Sequence, residues 1–214
     1  MRVLVIAAHP DDEILGVGGT ICKHIEKADE VYVCIVTKAY EPEWTIDYIQ
    51  LKVEEQKKVD KLLNIKKRFN LDFPTVKLNT IPHGTLNHKL ASVVDKVKPN
   101  IVYTHYENDL NQDHKIVSQA TLVATRPPKR IQLLSYETLS STEYSNIRFN
   151  PNFYVDIGKF INKKIDIFKI YSSEVREYPH PRSLKGIEIL AKRRGIEIFL
   201  EHAEAFLLIR NIWS

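Results

Sequence analysis

Short apolar runs alternate with longer mixed stretches along this chain. Val3-Leu4-Val5-Ile6-Ala7-Ala8 is unbroken in aliphatic residues, and Val31-Tyr32-Val33-Cys34-Ile35-Val36 repeats the pattern. Runs of this length without polar alternation predict strands buried on both faces, as in a parallel sheet. Asn100–Thr104, Ile131–Tyr136 and Phe153–Ile157 read as further strands, and Ala205–Arg210 as a late one. Helical spacing fills the intervals. Ile14–Glu26 carries Ile14, Leu15, Val17, Ile21, Cys22 and Ile25 near that spacing, and Asp47–Leu63 is charged, with Ile49, Val53, Val59, Leu62 and Leu63 on one side. Leu86–Val97, His114–Ala124, Ile161–Ser172 and Ser183–Arg194 complete the helices. Strands alternating with helices predict βαβ units, hence an α/β fold of three layers, with a mainly parallel sheet and helices on both faces. No Gly/Ser-rich linker divides the 214 residues, so residues 1–214 read as one domain.

Composition narrows the picture. With 43% hydrophobic and 27% charged residues the chain is an ordinary globular protein, which excludes disorder and low complexity. The first apolar run ends at His9-Pro10-Asp11-Asp12-Glu13, too soon for a secretory segment or a bilayer span, so a cytosolic protein is expected. Cys22 and Cys34 form no CxxC, which gives neither a disulfide framework nor a Cys-rich zinc site. The net charge of +4 comes mainly from scattered lysines and makes a weak case for a nucleic-acid partner. Homo-oligomerisation stays open.

In parallel α/β sheets ligands sit beyond the carboxyl ends of the strands. The loop after Ala8 is His9-Pro10-Asp11-Asp12-Glu13, where a dinucleotide-binding protein would place glycines. Neither GxGxxG nor GxxxxGK[ST] is present. Three carboxylates at the mouth of a crevice repel phosphate and attract a cation. The loop after Thr104 runs His105-Tyr106-Glu107-Asn108-Asp109-Leu110-Asn111-Gln112-Asp113-His114 and is again rich in His and carboxylates. If the two strands are neighbours, His9, Asp12 and His114 make a set of two His and one carboxylate. Such a set suits zinc and leaves a fourth position for water, the mark of a catalytic site. Asp11, between two ligands, is placed to take a proton from that water.

Simpler roles compete for several of these groups. Asp11 or Asp12 could cap the first helix, with Glu13 in its first turn. His105 is open between lining the pocket and supporting it. His24 reads as a helix-surface residue, and His83 and His88 as capping or solvated residues. His180 and His202 carry no assignment. Cys34 reads as a small buried hydrophobe. The pairs Lys66-Lys67, Lys163-Lys164 and Arg193-Arg194 read as solvated helix faces.

On Ala8-His9-Pro10-Asp11-Asp12-Glu13, Gly18-Gly19-Thr20 and Asp109-Leu110-Asn111-Gln112-Asp113-His114, the chain resembles the PIG-L/LmbE-like deacetylases. Tyr178-Pro179-His180-Pro181-Arg182-Ser183 and Ala203-Glu204-Ala205-Phe206 extend the resemblance over nearly the whole length. It implies a Rossmann-like domain that hydrolyses the N-acetyl group of a GlcNAc-type sugar with one zinc ion, or another divalent metal, per chain. His9, Asp12 and His114 would be the ligands, Asp11 the general base, and Asp113 a carboxylate orienting a histidine or the pocket. The substrate would be a small N-acetyl sugar conjugate. Two positions depart from the family pattern. Asn111 stands where many members have a second His, and is expected to donate to the oxyanion rather than act as an acid. Lys52-Val53-Glu54-Glu55 stands where Arg-x-x-Glu is common, so Lys52, with Arg182 or Arg126 as replacements for the arginine, is expected among the substrate contacts. The loop Lys38–Thr45 is expected to help select the group attached to the sugar. A non-haem iron enzyme with the same ligand set, and a basic binding module without catalysis, are the competing readings.

Overall fold

The computed structural model describes residues 1–212. Seven strands form one sheet: β1 (Arg2–Ala7), β2 (Glu30–Lys38), β3 (Lys67–Pro74), β4 (Ile101–His105), β5 (Gln132–Tyr136), β6 (Phe153–Asp156) and β7 (Ala203–Arg210). Their order is β3-β2-β1-β4-β5-β7-β6. The strands from β3 to β5 pair in parallel, and β7 runs antiparallel to both β5 and β6. The helices are α1 (Asp12–Glu26), α2 (Ile46–Leu63), α3 (His83–Val97), α4 (Gln112–Ala124), α5 (Ile161–Phe168) and α6 (Leu184–Ile196).

Alternate β1 residues feed two separate cores, as the period of a strand requires. Val3 and Val5 pack with α1, α5 and α6 on one face, whereas Leu4, Ile6 and Ala8 pack with α3 and α4 on the other. β1 is therefore fully buried from Val3 onward and reads there as an unbroken apolar run. β1 and β4 lie side by side, so the loops that follow them meet at one end of the sheet. No helix among the described residues is long and apolar enough to cross a membrane.

β3 is absent from the sequence reading. Lys67, expected on a solvated helix, begins this strand. Two further charged pairs are not solvated faces. Lys164 is buried and donates to Glu204 Oε1 at 2.6 Å and to Leu15 O at 2.8 Å. The same Glu204 carboxylate accepts from Gly19 N and Thr20 N, so the ion pair is tied to the backbone of α1. Arg194 is buried against the Glu137 carboxylate, with both contacts at 2.7 Å. His24 is also buried, held between Asp29 and the Tyr103 hydroxyl.

Candidate active site

The turn from β1 into α1 places His9, Pro10 and Asp11 at the carboxyl end of the sheet. Asp11 occupies the N-cap position of α1, but its side chain makes no capping hydrogen bond. Its backbone is strained, with φ 128° and ψ −30°. Asp12 then opens the helix with its carboxylate buried. The β4–α4 loop brings His114 from the first turn of α4 to the same point.

Three donor atoms form a triangle. His9 Nδ1 lies 3.2 Å from Asp12 Oδ2, His114 Nε2 lies 3.3 Å from the same oxygen, and the two ring nitrogens are 3.2 Å apart. Tetrahedral zinc with bonds of about 2.0–2.1 Å requires ligand atoms about 3.3 Å apart, so the triangle matches one face of that tetrahedron. His9, Asp12 and His114 are the group of described residues close enough to share an ion. Asp12 Oδ1 is buried with no hydrogen-bond partner, which a cation would supply. The donor set fits a metal.

Carboxylates back both imidazoles. His9 Nε2 is 3.2 Å from Asp113 Oδ2, and His114 Nδ1 is 3.3 Å from Asp109 Oδ1. Such outer carboxylates orient metal-binding histidines. Asp113 is itself fixed by Val76 N at 2.6 Å, and Asp109 by the hydroxyls of Ser141 and Thr142. Burial disfavours the charged form of His9, but hydrogen bonds to Asp113 and Asp12 outweigh it and lift the imidazole to about 10. Burial likewise opposes the charge on Asp12, yet His114 and His105 hold its carboxyl well below the usual range. A cation seated here replaces the protons on these imidazoles.

His105 stacks on His114 with ring centroids 3.8 Å apart, fully buried beneath the triangle. Its Nε2 accepts from Ala8 N at 2.9 Å, leaving Nδ1 to donate to Thr138 Oγ1. Burial, with His114 adding to it, pushes this imidazole down to about 4. His105 supports the site from below and does not line the cavity.

The cavity, of about 420 Å³, opens beside His9 and Asp11. Lys38, Trp44, Tyr48, Lys52, Asn70 and Asp72 line it, with Glu174 and Arg182. Arg182 Nη1 bridges Asp11 Oδ2 at 3.0 Å and Glu174 Oε2 at 2.9 Å. Lys52 Nζ reaches Glu174 Oε1 at 2.9 Å and Glu55 Oε2 at 3.3 Å. Burial drives Asp11 up to about 7; Arg182 opposes the rise, while Asp12 and Glu174 add to it.

Asn111 stands apart from the cavity lining. It is the N-cap of α4, with Oδ1 accepting from Asp113 N at 2.9 Å. Its side-chain carbonyl caps the helix by satisfying a free N–H of the first turn, which leaves the Nδ2 amide to donate elsewhere. Arg126 lies exposed in the turn after α4, at the far end of that helix from the crevice. His180 is exposed, whereas His202 is buried with both ring nitrogens unpartnered and does not line the cavity. Sequence reasoning assigned no role to Asp109 or Glu174, and it placed Glu13 at the crevice mouth, whereas the residue is buried behind Asp11. Asp109 had a usable signal, a carboxylate in the same loop as His114. Glu174 had none, since its partners Lys52 and Tyr48 come from α2, far away in the chain.

Residues 4–125 match the family model described as GlcNAc-PI de-N-acetylase, PIG-L. The chain belongs to the PIG-L family. A protein of Escherichia coli described as an uncharacterized deacetylase, YaiS, is 33% identical over 147 residues, which cover 65% of this chain and 75% of that protein. The diacetylchitobiose deacetylase of Thermococcus kodakarensis is 26% identical over 201 residues, covering 82% of this chain and 71% of the relative. Among solved structures, a conserved protein of Thermus thermophilus superposes with a TM-score of 0.80 at 23% identity, covering 99% of this chain and 96% of the other. A 4-carboxy-2-hydroxymuconate hydratase of Pseudomonas putida shares the fold at a TM-score of 0.77 and 18% identity, covering 100% of this chain and 98% of the other. The PIG-L fold thus carries more than one chemistry, and the reaction must be argued from the site.

Proposed function

We propose that this PIG-L protein is a zinc-dependent N-deacetylase. It removes the acetyl group from an N-acetylated amino sugar conjugate of the GlcNAc type, giving acetate and a free amine. The observation that carries this reading is the donor triangle of His9, Asp12 and His114, with the buried Asp11 carboxylate beside it at the cavity. One ion held there supplies Lewis-acid polarisation of the amide carbonyl and acidifies a water. Asp11 accepts the proton of the attacking water and delivers it to the departing amine nitrogen, a dual role suited to a group near 7. Arg182 holds the Asp11 carboxylate in line through its 3.0 Å contact. Asp109 and Asp113 keep the two imidazoles in register.

The cavity suits a sugar. Trp44 and Tyr48 offer aromatic faces, while Asn70, Asp72 and Gln56 offer hydrogen-bonding groups. Its volume falls in the range of small-molecule sites, about 300–1,000 Å³. Lys52 and Arg182 contribute substrate contacts from walls already fixed by Glu174. Residues 1–214 act as one catalytic domain, in the cytoplasm. The names of the relatives, one a diacetylchitobiose deacetylase and the other an uncharacterized deacetylase, support the reaction class. The test is a screen of N-acetylated sugars and their conjugates for acetate release with zinc present. Release from a GlcNAc-type compound is expected. No release across the panel by zinc-loaded protein contradicts the proposal.

A further inference from the structure

We infer that Glu13 is a positioning residue for Asp11. A buried chain of contacts from α2 and β3 ends on the backbone of the base. Asp60 Oδ1 and Oδ2 grip Arg68 Nε at 2.9 Å each, and Arg68 Nη2 lies 3.1 Å from Glu13 Oε1. The Tyr171 hydroxyl donates to the same oxygen at 2.5 Å. The second oxygen of Glu13, Oε2, accepts from Asp11 N at 3.0 Å. Glu13 is 1% exposed and Arg68 6%, so the contacts are shielded from water.

The end point of the chain is the strained residue. An N-cap residue ordinarily adopts a negative φ in the extended region. Thr45, Asn111 and Ser183, at the same position in α2, α4 and α6, do so. Asp11 sits at φ 128° instead, while its carbonyl still accepts from Ile14 N and Leu15 N at 3.0 Å each. The helix start fixes one side of Asp11, and Glu13 holds its N–H on the other. This twist lets two successive side chains serve one crevice: Asp11 faces Arg182 and the cavity, Asp12 faces the two imidazoles. Nothing else among the described contacts holds the Asp11 N–H. Without Glu13 that buried donor has no acceptor, and residue 11 relaxes toward ordinary N-cap geometry, swinging its carboxylate off the reaction line. Misplacement by about 1 Å costs on the order of a hundredfold in rate.

The inference rests on Asp11 acting as the base. Its test is Glu13→Ala in the full chain, read by kcat, KM, metal per chain and a crystal structure. A fall in kcat of about a hundredfold is expected, with KM within about threefold, metal retained, and residue 11 returned to negative φ. Tyr171→Phe removes only a hydroxyl, keeps the ring in the core, and should lower kcat about three- to tenfold at unchanged KM. If Glu13→Ala does not fold, Tyr171→Phe decides. Unchanged kcat in the deciding variant, a loss of activity that follows lost metal, or φ still near 128° in Glu13→Ala overturns the assignment. Should the unaltered protein release no acetate from any substrate, the functional reading fails, and the backbone angle at residue 11 still decides the role of Glu13.

Discussion

At the scale of single residues, the proposed reaction divides the site into groups that would hold the ion and one that would move a proton. Asp11 and Asp12 are neighbours with opposite environments: Asp12 lies among imidazoles that keep it ionised, whereas burial lifts Asp11 to about 7. Asp11→Asn keeps the hydrogen-bonding shape without the basicity. It should leave one metal per chain and lower kcat by about a hundredfold or more, the contribution of a positioned base. Loss of metal in this variant, measured by elemental analysis, assigns Asp11 to the ligand set instead. Asp109→Asn removes the charge behind His114 and should weaken metal affinity by about ten- to a hundredfold, measured by competition with a chelator. An unchanged affinity removes Asp109 from the site. His9, Asp11, Asp12 and His114 were legible because they cluster in two short loops at strand ends. Glu174 was not legible, because its contacts to Lys52 and Tyr48 join it to α2, a segment distant in the chain. The cap at Asn111 was not anticipated; its Oδ1 serves a free N–H of α4, while its Nδ2 stays available to donate.

At the scale of elements, the buried strands were legible and the edge strand was not. β1, β2, β4 and β5 carry apolar residues on both faces, so each reads as a run without needing a partner. β3 has one neighbour and shows half-exposed Phe69, Leu71 and Phe73 alternating with Arg68, Asn70 and Asp72. That alternation is itself a strand signal, but the lysines at its head read as a helix end. The omission mattered, because β3 supplies Asn70 and Asp72 to the cavity and Arg68 to Glu13. α1 shows a second demand that periodicity does not reveal. A Cβ at Gly16 would stand 2.2 Å from Tyr136 Cδ2, and one at Gly19 would stand 2.7 Å from Ile157 Cγ2. The helix needs glycine there to lie against β5 and the end of β6. Gly16→Ala forces the Tyr136 ring to shift and should destabilise the fold by about 1–3 kcal/mol. The check is a denaturant midpoint that falls at unchanged slope. A midpoint equal to that of the unaltered protein means the ring yields freely and the close approach has no role.

At the scale of the whole molecule, the parallel centre of the sheet gathers the chemistry at one end. β1 and β4 are adjacent, and each delivers its loop to the same crevice. The antiparallel β7 lies on the far side of β5, and its Glu204 ties α1 to Lys164. This arrangement separates the two cores, which carry stability, from the crevice, where the reaction is proposed to take place. Alternating strands and helices showed the parallel layers in the sequence. The reversal at β7 left no local mark, since an apolar strand reads alike in either direction. The central claim is that His9, Asp12 and His114 hold the ion on which amide hydrolysis depends. Acetate release from an N-acetylated sugar, followed before chelation, after chelation and after return of zinc, tests it most directly. Activity should disappear with the metal and come back at about one zinc ion per chain. Full activity in metal-free protein would contradict it.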